Sequence, residues 1–478
     1  MSKETHIPIL RLGEEYHSLD TVELESSADN TVYTHTANPG LIRRDILDLE
    51  KSKAALDAVP AETLAGYCEA AAELFLHEEL PLGNSSQSPQ DYIESLSALT
   101  KLPHTLVKMN MGKVHAAMSQ IRTVIGGLTR NLPLELFDRG LSAVDDLEVN
   151  FYPVADALGV SLPSNAPAVN SLWLPAPVLK IPVLLKPGRE DPFTPLRIVQ
   201  SLIAAGFPKE AFGFYPTTHE GGDTILMGCG RGIAFGSDAT VRKYSGFPSI
   251  QVHGTGRSKV LVGDDYLGKW ADHTETLVES ISANGGRSCI NTSAILVSSG
   301  RDELADAVAR DLAAIEPLPR DHEDALLCGF SNTEWAGSIN DLIDEHLKVE
   351  GAEDVTARYR NGSRLVEMHG QTYLRPTLIS CADPGHPLAN TEFMFPFASV
   401  TEMPQGQMLG EIGETLVVSA WTDDAGWIRD LMNSSDIERL NIGPFPTNRV
   451  QWEQPHEGNL FEFLFRRRAI QGNLAAVS

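Results

Sequence analysis

Cysteine is scarce in this chain and widely scattered. There are five in 478 residues, at positions 68, 229, 289, 328 and 381, an odd number with no Cys-x-x-Cys pair. That pattern argues against a disulfide framework or a thiolate zinc site and for a reducing compartment. Positive charge is also short: 38 Lys and Arg face 64 Asp and Glu, for a formal net charge of −26. An acidic surface repels nucleic acid and anionic membranes, so neither is expected as a partner. Long apolar runs are missing as well. No stretch is long enough to span a bilayer, and the start, Met1-Ser2-Lys3-Glu4, is polar rather than signal-like. The cytoplasm is the expected location. There is no internal repeat and no long low-complexity tract.

What remains is an ordinary globular composition, 42% hydrophobic and 21% charged, in a chain long enough for roughly three domains of about 150 residues. Residues 1 to 135 read as helix-rich. Ala61 to Phe75 is rich in Ala and Leu, and Ser88-Pro89 opens a further helix. From about 145 strands and helices alternate. Val149 to Tyr152 is strand-like, and Val183-Leu184-Leu185-Lys186 is a short apolar strand. Thr194 and Pro195 supply an N-cap and a first-turn proline for a helix with Leu196, Val199, Leu202 and Ile203 on one face; Gly206 and Pro208 end it. Gly213-Phe214-Tyr215 completes a βαβ pattern, and Lys259 to Val262 is another buried strand. A strand at 294–298 and a helix from about Asp302, with Leu304, Val308, Leu312 and Ile315 on one face, repeat the theme. Gly351 to Gly370 is polar and reads as a surface segment. Leu460 to Phe465 is too apolar for a free tail and reads as a strand needing a partner; Arg466-Arg467-Arg468 reads as a solvated patch.

Cys289 is the residue with chemistry in prospect. It ends Asn284-Gly285-Gly286-Arg287-Ser288-Cys289, a small and polar run just before the apolar Ala294 to Val297. A thiol held on such a loop is an available nucleophile, unlike a thiol packed in a core.

Seven segments, in order, resemble the aldehyde dehydrogenase superfamily. They are Pro163-Ser164-Asn165-Ala166-Pro167, Val183 to Pro187, Ala205-Gly206-Phe207-Pro208, Phe235-Gly236-Ser237, Asn284 to Cys289, Gly370 to Leu378 and Glu392-Phe393-Met394-Phe395-Pro396. They cover about 150 to 400; the first 130 residues carry no matching motif. The resemblance implies that Cys289 attacks an aldehyde carbon. It implies that the Asn165 amide and the Cys289 backbone N–H stabilise the oxyanion, and that a thioester on Cys289 follows hydride loss to NAD or NADP. It also implies that Lys186 reaches a cofactor ribose, that Gly236 and Ser237 approach the dinucleotide, that Ser164 lies on the cofactor side and that Glu392 holds the nicotinamide ribose.

Three departures from the family pattern bear on function. His253, in His253-Gly254-Thr255-Gly256-Arg257-Ser258, stands where hydrolytic members carry a glutamate base. An imidazole is able to activate water; otherwise the thioester passes to a thiol such as coenzyme A, as in the acylating members. Lys186-Pro187-Gly188-Arg189 replaces Lys-Pro-Ser-Glu, and Arg189 is suited to a 2′-phosphate, which points toward NADP. Ser164 replaces a tryptophan and Met394-Phe395 replaces Phe-Gly, which changes the substrate walls.

The expected architecture is α/β, with two open α/β domains and a β-strand oligomerisation arm. The dinucleotide-binding domain is expected at 1–135 and 156–262, the catalytic cysteine domain at 263–440, the arm at 136–155 and 456–478, and a connecting segment at 441–455. The expected activity is oxidation of a small aldehyde to the acid by a homodimer or homotetramer, with no metal. The alternatives are a coenzyme A-acylating enzyme acting on an acyl thioester, and a retired enzyme kept for a structural or binding role.

Overall fold

Val183–Lys186 is apolar on both faces, as a strand covered on both sides must be. It lies inside a seven-stranded sheet of the computed structural model, which describes residues 3–24, 30–144 and 147–472. The chain divides into two compact units. The first comprises Met1–Leu99, Lys108–Gly254 and Gln451–Ser478; the second comprises Thr100–Val107 and Thr255–Val450.

The sheet of the first unit runs in the order Ile250–His253, Gly230–Phe235, Ala157–Ser161, Val183–Lys186, Phe212–Phe214, Ile9–Arg11 and Glu14–Tyr16. The five strands from 157 to 253 pair in parallel, and the 9–16 hairpin adds an antiparallel edge. Chain order reverses between Ala157–Ser161 and Gly230–Phe235, which makes a topological switch point. The helix Phe193–Ala205 follows Val183–Lys186 and stops at Gly206, whose φ of +115° suits glycine. Its start differs from expectation. Pro192 occupies the cap position, Thr194 lies inside the helix, and the buried Asp191 carboxylate accepts the Thr194 N–H at 2.9 Å. An aspartate accepts that bond as well as a threonine, and it frees the Thr194 hydroxyl for the buried Tyr92 hydroxyl, 2.8 Å away.

The N-terminal region is less purely helical than its composition suggests. Lys3–Ile7, Thr21–Leu24 and Asn30–His35 form a three-stranded sheet before the helices between Pro39 and Thr129 begin. The C-terminal apolar run also differs: Leu460–Leu464 is a short helix, and the strand is Phe465–Arg468. Asn459 caps that helix by accepting from Phe461 and Glu462 N–H, so Leu460, Phe461 and Leu464 are buried at helical spacing. Phe465–Arg468 then pairs with Leu147–Pro153, which pairs with Leu141–Val144. The two segments read as an arm therefore meet in one three-stranded antiparallel sheet. Phe465 is buried and the three arginines are exposed.

The second unit has its own seven-stranded sheet, in the order Ala352–Asp354, Thr377–Cys381, Phe397–Glu402, Thr292–Val297, Ser258–Val262, Thr415–Trp421 and Ile437–Ile442. All pairs are parallel except that of Ala352–Asp354. Ser258–Val262 is thus a strand of this sheet, and the chain leaves the first sheet at His253, earlier than the boundary at 262 read from the sequence. Helices Thr274–Ser282 and Arg301–Ala313 cover one face through Leu277, Ile281, Leu304, Val308 and Leu312. The polar stretch 351–370 is not simply surface. The Arg360 and Arg364 side chains are buried on the Asp354 carboxylate, which their charges and the Thr356 hydroxyl hold below its ordinary pKa despite burial. Paired charge enters a core where unpaired charge does not. Among the described residues no helix is long and apolar enough to cross a membrane.

Candidate active site

In the first unit, the candidate cofactor residues follow the carboxyl ends of the parallel strands that flank the switch point. Lys186 ends Val183–Lys186. Its Nζ donates to the Pro187 carbonyl at 3.3 Å, and burial pulls its pKa down. Ser164 and Asn165 follow Ala157–Ser161, and Asn165 is half-buried. Ser164 Oγ accepts the Glu190 N–H at 3.0 Å and so braces the Lys-Pro-Gly-Arg turn. A side chain on Gly188 would put its Cβ 2.3 Å from that same Oγ, which accounts for glycine at 188. Arg189 is exposed on the braced turn. Gly236 and Ser237 are exposed after Gly230–Phe235, and a Cβ at Gly236 would meet Thr240 Oγ1 at 2.2 Å.

His253 ends the edge strand of that sheet. It is 6% exposed and stacks on Phe235 with ring centroids 4.8 Å apart. Its Nδ1 lies 2.5 Å from Glu457 Oε2 without meeting hydrogen-bond geometry. His456 stacks beyond at 6.5 Å.

The second unit gathers its candidates at the opposite edge of its sheet, where the parallel strands begin. Cys289 precedes Thr292–Val297 and packs beside Ile290, Leu416 and Val417. Of the five cysteines it alone is not buried. Burial pushes Cys381 up to about 12 and Cys68 and Cys229 higher still. The loop that presents Cys289 makes a left-handed turn of three residues, with φ of +53° at Asn284, +65° at Gly285 and +70° at Gly286. Both glycines are also required by space: a Cβ would lie 2.3 Å from Cys328 Sγ at Gly285 and 2.2 Å from Pro396 N at Gly286. Asn291 closes the loop. Its Oδ1 accepts the Ser288 N–H at 2.8 Å, and its Nδ2 donates to Ser280 and Ala283 carbonyls. Arg287, where the family pattern has glutamine, is buried. It donates to the carbonyls of Thr100 and Gly329 and lies over the Phe330 ring at 5.8 Å, so it buttresses the loop.

The turn before Ser258 lies against the same loop. Ser258 Oγ donates to the Cys289 carbonyl at 2.9 Å, and a Cβ on Gly256 would sit 1.9 Å from that oxygen. Glu392 Oε2 accepts the Arg257 N–H at 2.7 Å, and the Gly256 N–H also reaches the carboxylate. Burial outweighs these donors and pushes Glu392 up to about 7. Lys259, 2% exposed, is pulled down to about 7, chiefly by burial and further by the Arg257 charge. Arg439, opposite Val417 on the neighbouring strand, lies close enough for its guanidinium and the Cys289 thiolate to stabilise one another.

Lys259, Arg439 and Glu457 escape sequence reasoning. The signal each leaves is small: a single charge inside an apolar strand for Lys259, one of two adjacent charges in a half-polar strand for Arg439, and an acid beside histidine near the C-terminus for Glu457. Among the described residues no cluster of His, Cys, Asp and Glu is arranged to hold a metal ion.

Comparison with known proteins identifies the family and the fold. The aldehyde dehydrogenase family model matches residues 107–425. A search of curated proteins found no match. Among solved structures, a putative aldehyde dehydrogenase from Burkholderia cenocepacia superposes with a TM-score of 0.77 at 17% identity, over 98% of this chain and 96% of that one. Aldehyde dehydrogenase 21 from Physcomitrella patens, in complex with the reaction product succinate, gives 0.76 at 16% identity over 98% of each chain. Indole-3-acetaldehyde dehydrogenase, in complex with NAD+, gives 0.75 at 16% identity over 97% and 95%. At these identities the solved structures establish the fold.

Proposed function

The chain belongs to the aldehyde dehydrogenase family and is an oxidoreductase acting on aldehydes, and from that premise we propose that it oxidises a small aldehyde to the acid through a covalent thioester on Cys289, with NAD or NADP. The observation that carries this reading is the contrast among the cysteines. Four are buried, while Cys289 stands on a glycine-built turn within electrostatic reach of the Arg439 guanidinium. A thiolate is the attacking form of cysteine, and a nearby cation favours it.

In this reading Cys289 Sγ bonds to the aldehyde carbon. The oxyanion is held by the Asn165 amide and the Cys289 N–H; such a donor is worth about 3 kcal/mol in the transition state. The dinucleotide, when bound, accepts the hydride that converts the thiohemiacetal to the thioester. Its placement is supported by the switch point, by the Lys186 ammonium with donors beyond the one spent on Pro187, and by Glu392 for the ribose hydroxyls. Solved relatives of this fold bind NAD+. The exposed Arg189 on its braced turn favours a 2′-phosphate and so NADP. His253, three residues from the turn that supports Cys289, takes the proton of the water that releases the acid and frees the thiolate.

One observation favours a second reading. His253 is buried between Phe235 and Glu457, as a packed histidine is, and in that case coenzyme A thiol replaces water and the product is an acyl thioester. The three-stranded sheet of 141–153 and 465–468 supports assembly into a dimer or tetramer, because its outer edges offer unpaired backbone groups. Light scattering is expected to give at least twice the chain mass. An acidic chain with four buried thiols fits the cytoplasm.

The deciding experiment follows NAD(P)H absorbance over a panel of aldehydes, with and without coenzyme A, beside Cys289→Ala. Turnover without coenzyme A that vanishes in the variant supports hydrolysis. Turnover only with coenzyme A supports the acylating alternative. No turnover with dinucleotide bound points to an aldehyde outside the panel; neither turnover nor dinucleotide binding supports the retired-enzyme reading.

A further inference from the structure

Lys259 is a buried lysine with no part in the chemistry just described. It occupies a strand position between Ala294 and Val418 where an aliphatic residue would pack without desolvating a charge. Burying an ammonium is costly unless its donors are placed, and these are. Nζ donates to the Arg257 carbonyl at 2.7 Å and to Thr415 Oγ1 at 3.1 Å. The Thr415 hydroxyl proton is directed at the carbonyls of Ile412 and Gly413, which leaves a lone pair for the lysine.

Arg257 is the strained residue of this turn. Its φ is +45°, in the left-handed region that a side chain disfavours. Such a conformation costs on the order of 1–3 kcal/mol and persists only when its surroundings impose it. Here the imposition comes from two sides. The Glu392 carboxylate takes the Arg257 N–H, and the Lys259 head takes the Arg257 carbonyl. The preceding residue, Gly256, is the one whose Cα faces the Cys289 carbonyl, and the following residue, Ser258, donates to that same oxygen.

We propose that Lys259 is a positioning residue for Cys289: together with Glu392 it grips the strained Arg257, and the gripped turn fixes the backbone of the reactive cysteine. The inference rests on the reading of Cys289 as nucleophile and deepens it. It also assigns Glu392 a second duty besides the ribose. When a dinucleotide draws on that carboxylate, Lys259 keeps hold of the turn by its other end.

The charged groups that act on Lys259 are Arg257 and Glu392, and its hydrogen-bonded neighbour Thr415 is neutral. Lys259 therefore changes charge near pH 7 inside the wild-type protein. The test is the rate of iodoacetamide modification of the intact chain, read by mass, from pH 5.5 to 9. The other four thiols are buried, so the rate reports Cys289. Lys259→Met is expected to change the rate about tenfold at pH 7 and to reduce the inflection near that pH to the part that Glu392 supplies. Lys259→Arg, charged throughout, is expected to restore the rate while keeping only the part of the inflection that Glu392 supplies. A purely space-filling lysine predicts a Met variant with the wild-type rate and pH profile, and that result overturns the proposal. Should the Met variant fail to fold, Thr415→Val removes one Nζ acceptor while keeping the lysine; an unchanged inflection there is equally decisive against it. The assay needs no turnover. Normal alkylation behaviour with no dehydrogenase activity would count against the proposed function alone.

Discussion

The two parallel sheets of this chain present their candidate residues at opposite ends of their strands. In the first unit Asn165, Lys186, Gly236 and His253 lie at or just past carboxyl ends; in the second Arg257, Cys289, Glu392 and Arg439 lie just before strands begin or in their opening residues. Carboxyl ends lead into loops and helix N-termini, where backbone N–H groups and the helix dipole favour phosphate. Amino ends receive helix C-termini, whose partial negative charge does nothing for a thiolate. The helix Thr274–Ser282 runs toward Cys289 in that unfavourable sense. A thiolate in the second unit would gain from a local cation, and Arg439 is one that interacts electrostatically with Cys289. One edge is suited by backbone architecture to a dinucleotide; at the other, the proposed reactivity of Cys289 would rest on side chains.

The sharpest way to break this division is a pair of variants. Cys289→Ala should lower turnover by at least about 10³ while dinucleotide binding, followed by fluorescence quenching, stays intact. Lys186→Ala should do the reverse, weakening dinucleotide binding about tenfold with the alkylation rate of Cys289 unchanged. Loss of both properties in either variant would erase the distinction between the edges. Next in size is Gly286→Ala. With φ at +70° and a Cβ 2.2 Å from Pro396 N, it should lower stability by roughly 2 kcal/mol or more in urea unfolding, and a wild-type midpoint would show that the turn is not constrained. Arg439→Met should slow alkylation of Cys289 at pH 7 about fivefold if that cation supplies what the helix end does not.

The smallest effect is a dip in stability near neutral pH. Glu392 has a folded pKa of about 7, above its ordinary 4.5, so the folded state holds an extra proton between these values and stability falls as pH rises across them. Lys259 has a folded pKa of about 7, below its ordinary 10.5, so the unfolded chain holds the extra proton above 7 and stability climbs from there. Urea midpoints at pH 5, 7 and 9 should show a shallow minimum near 7. Glu392→Gln should flatten its acid side and Lys259→Met its alkaline side; a monotonic wild-type profile would mean that these two groups do not dominate.

Particular residues show what was readable beforehand. Val183–Lys186 was legible because a strand covered on both faces is a short apolar run. Cys289 was legible because its turn needs Asn-Gly-Gly, and left-handed backbone leaves a mark in residue type. Leu460 to Phe465 was misread as strand because a short apolar run does not reveal its period; the Asn459 cap decided for helix. The 351–370 stretch was read as surface because charge alone looks solvated. Its burial depends on Asp354 meeting Arg360 and Arg364, a matter of three-dimensional pairing.

The sequence by itself determined the α/β class, the family and several central strands, and it singled out Cys289 as the candidate nucleophile, because each of these is a local pattern of apolar period, turn residue and motif. Tertiary structure alone decided that Arg439 faces Val417 beside Cys289, that Lys259 and Glu392 grip the two sides of Arg257, and that Glu457 lies against His253. Arg257 and Glu392 lie 135 positions apart, Cys289 and Arg439 150, and His253 and Glu457 204, and no local pattern encodes which strands become neighbours.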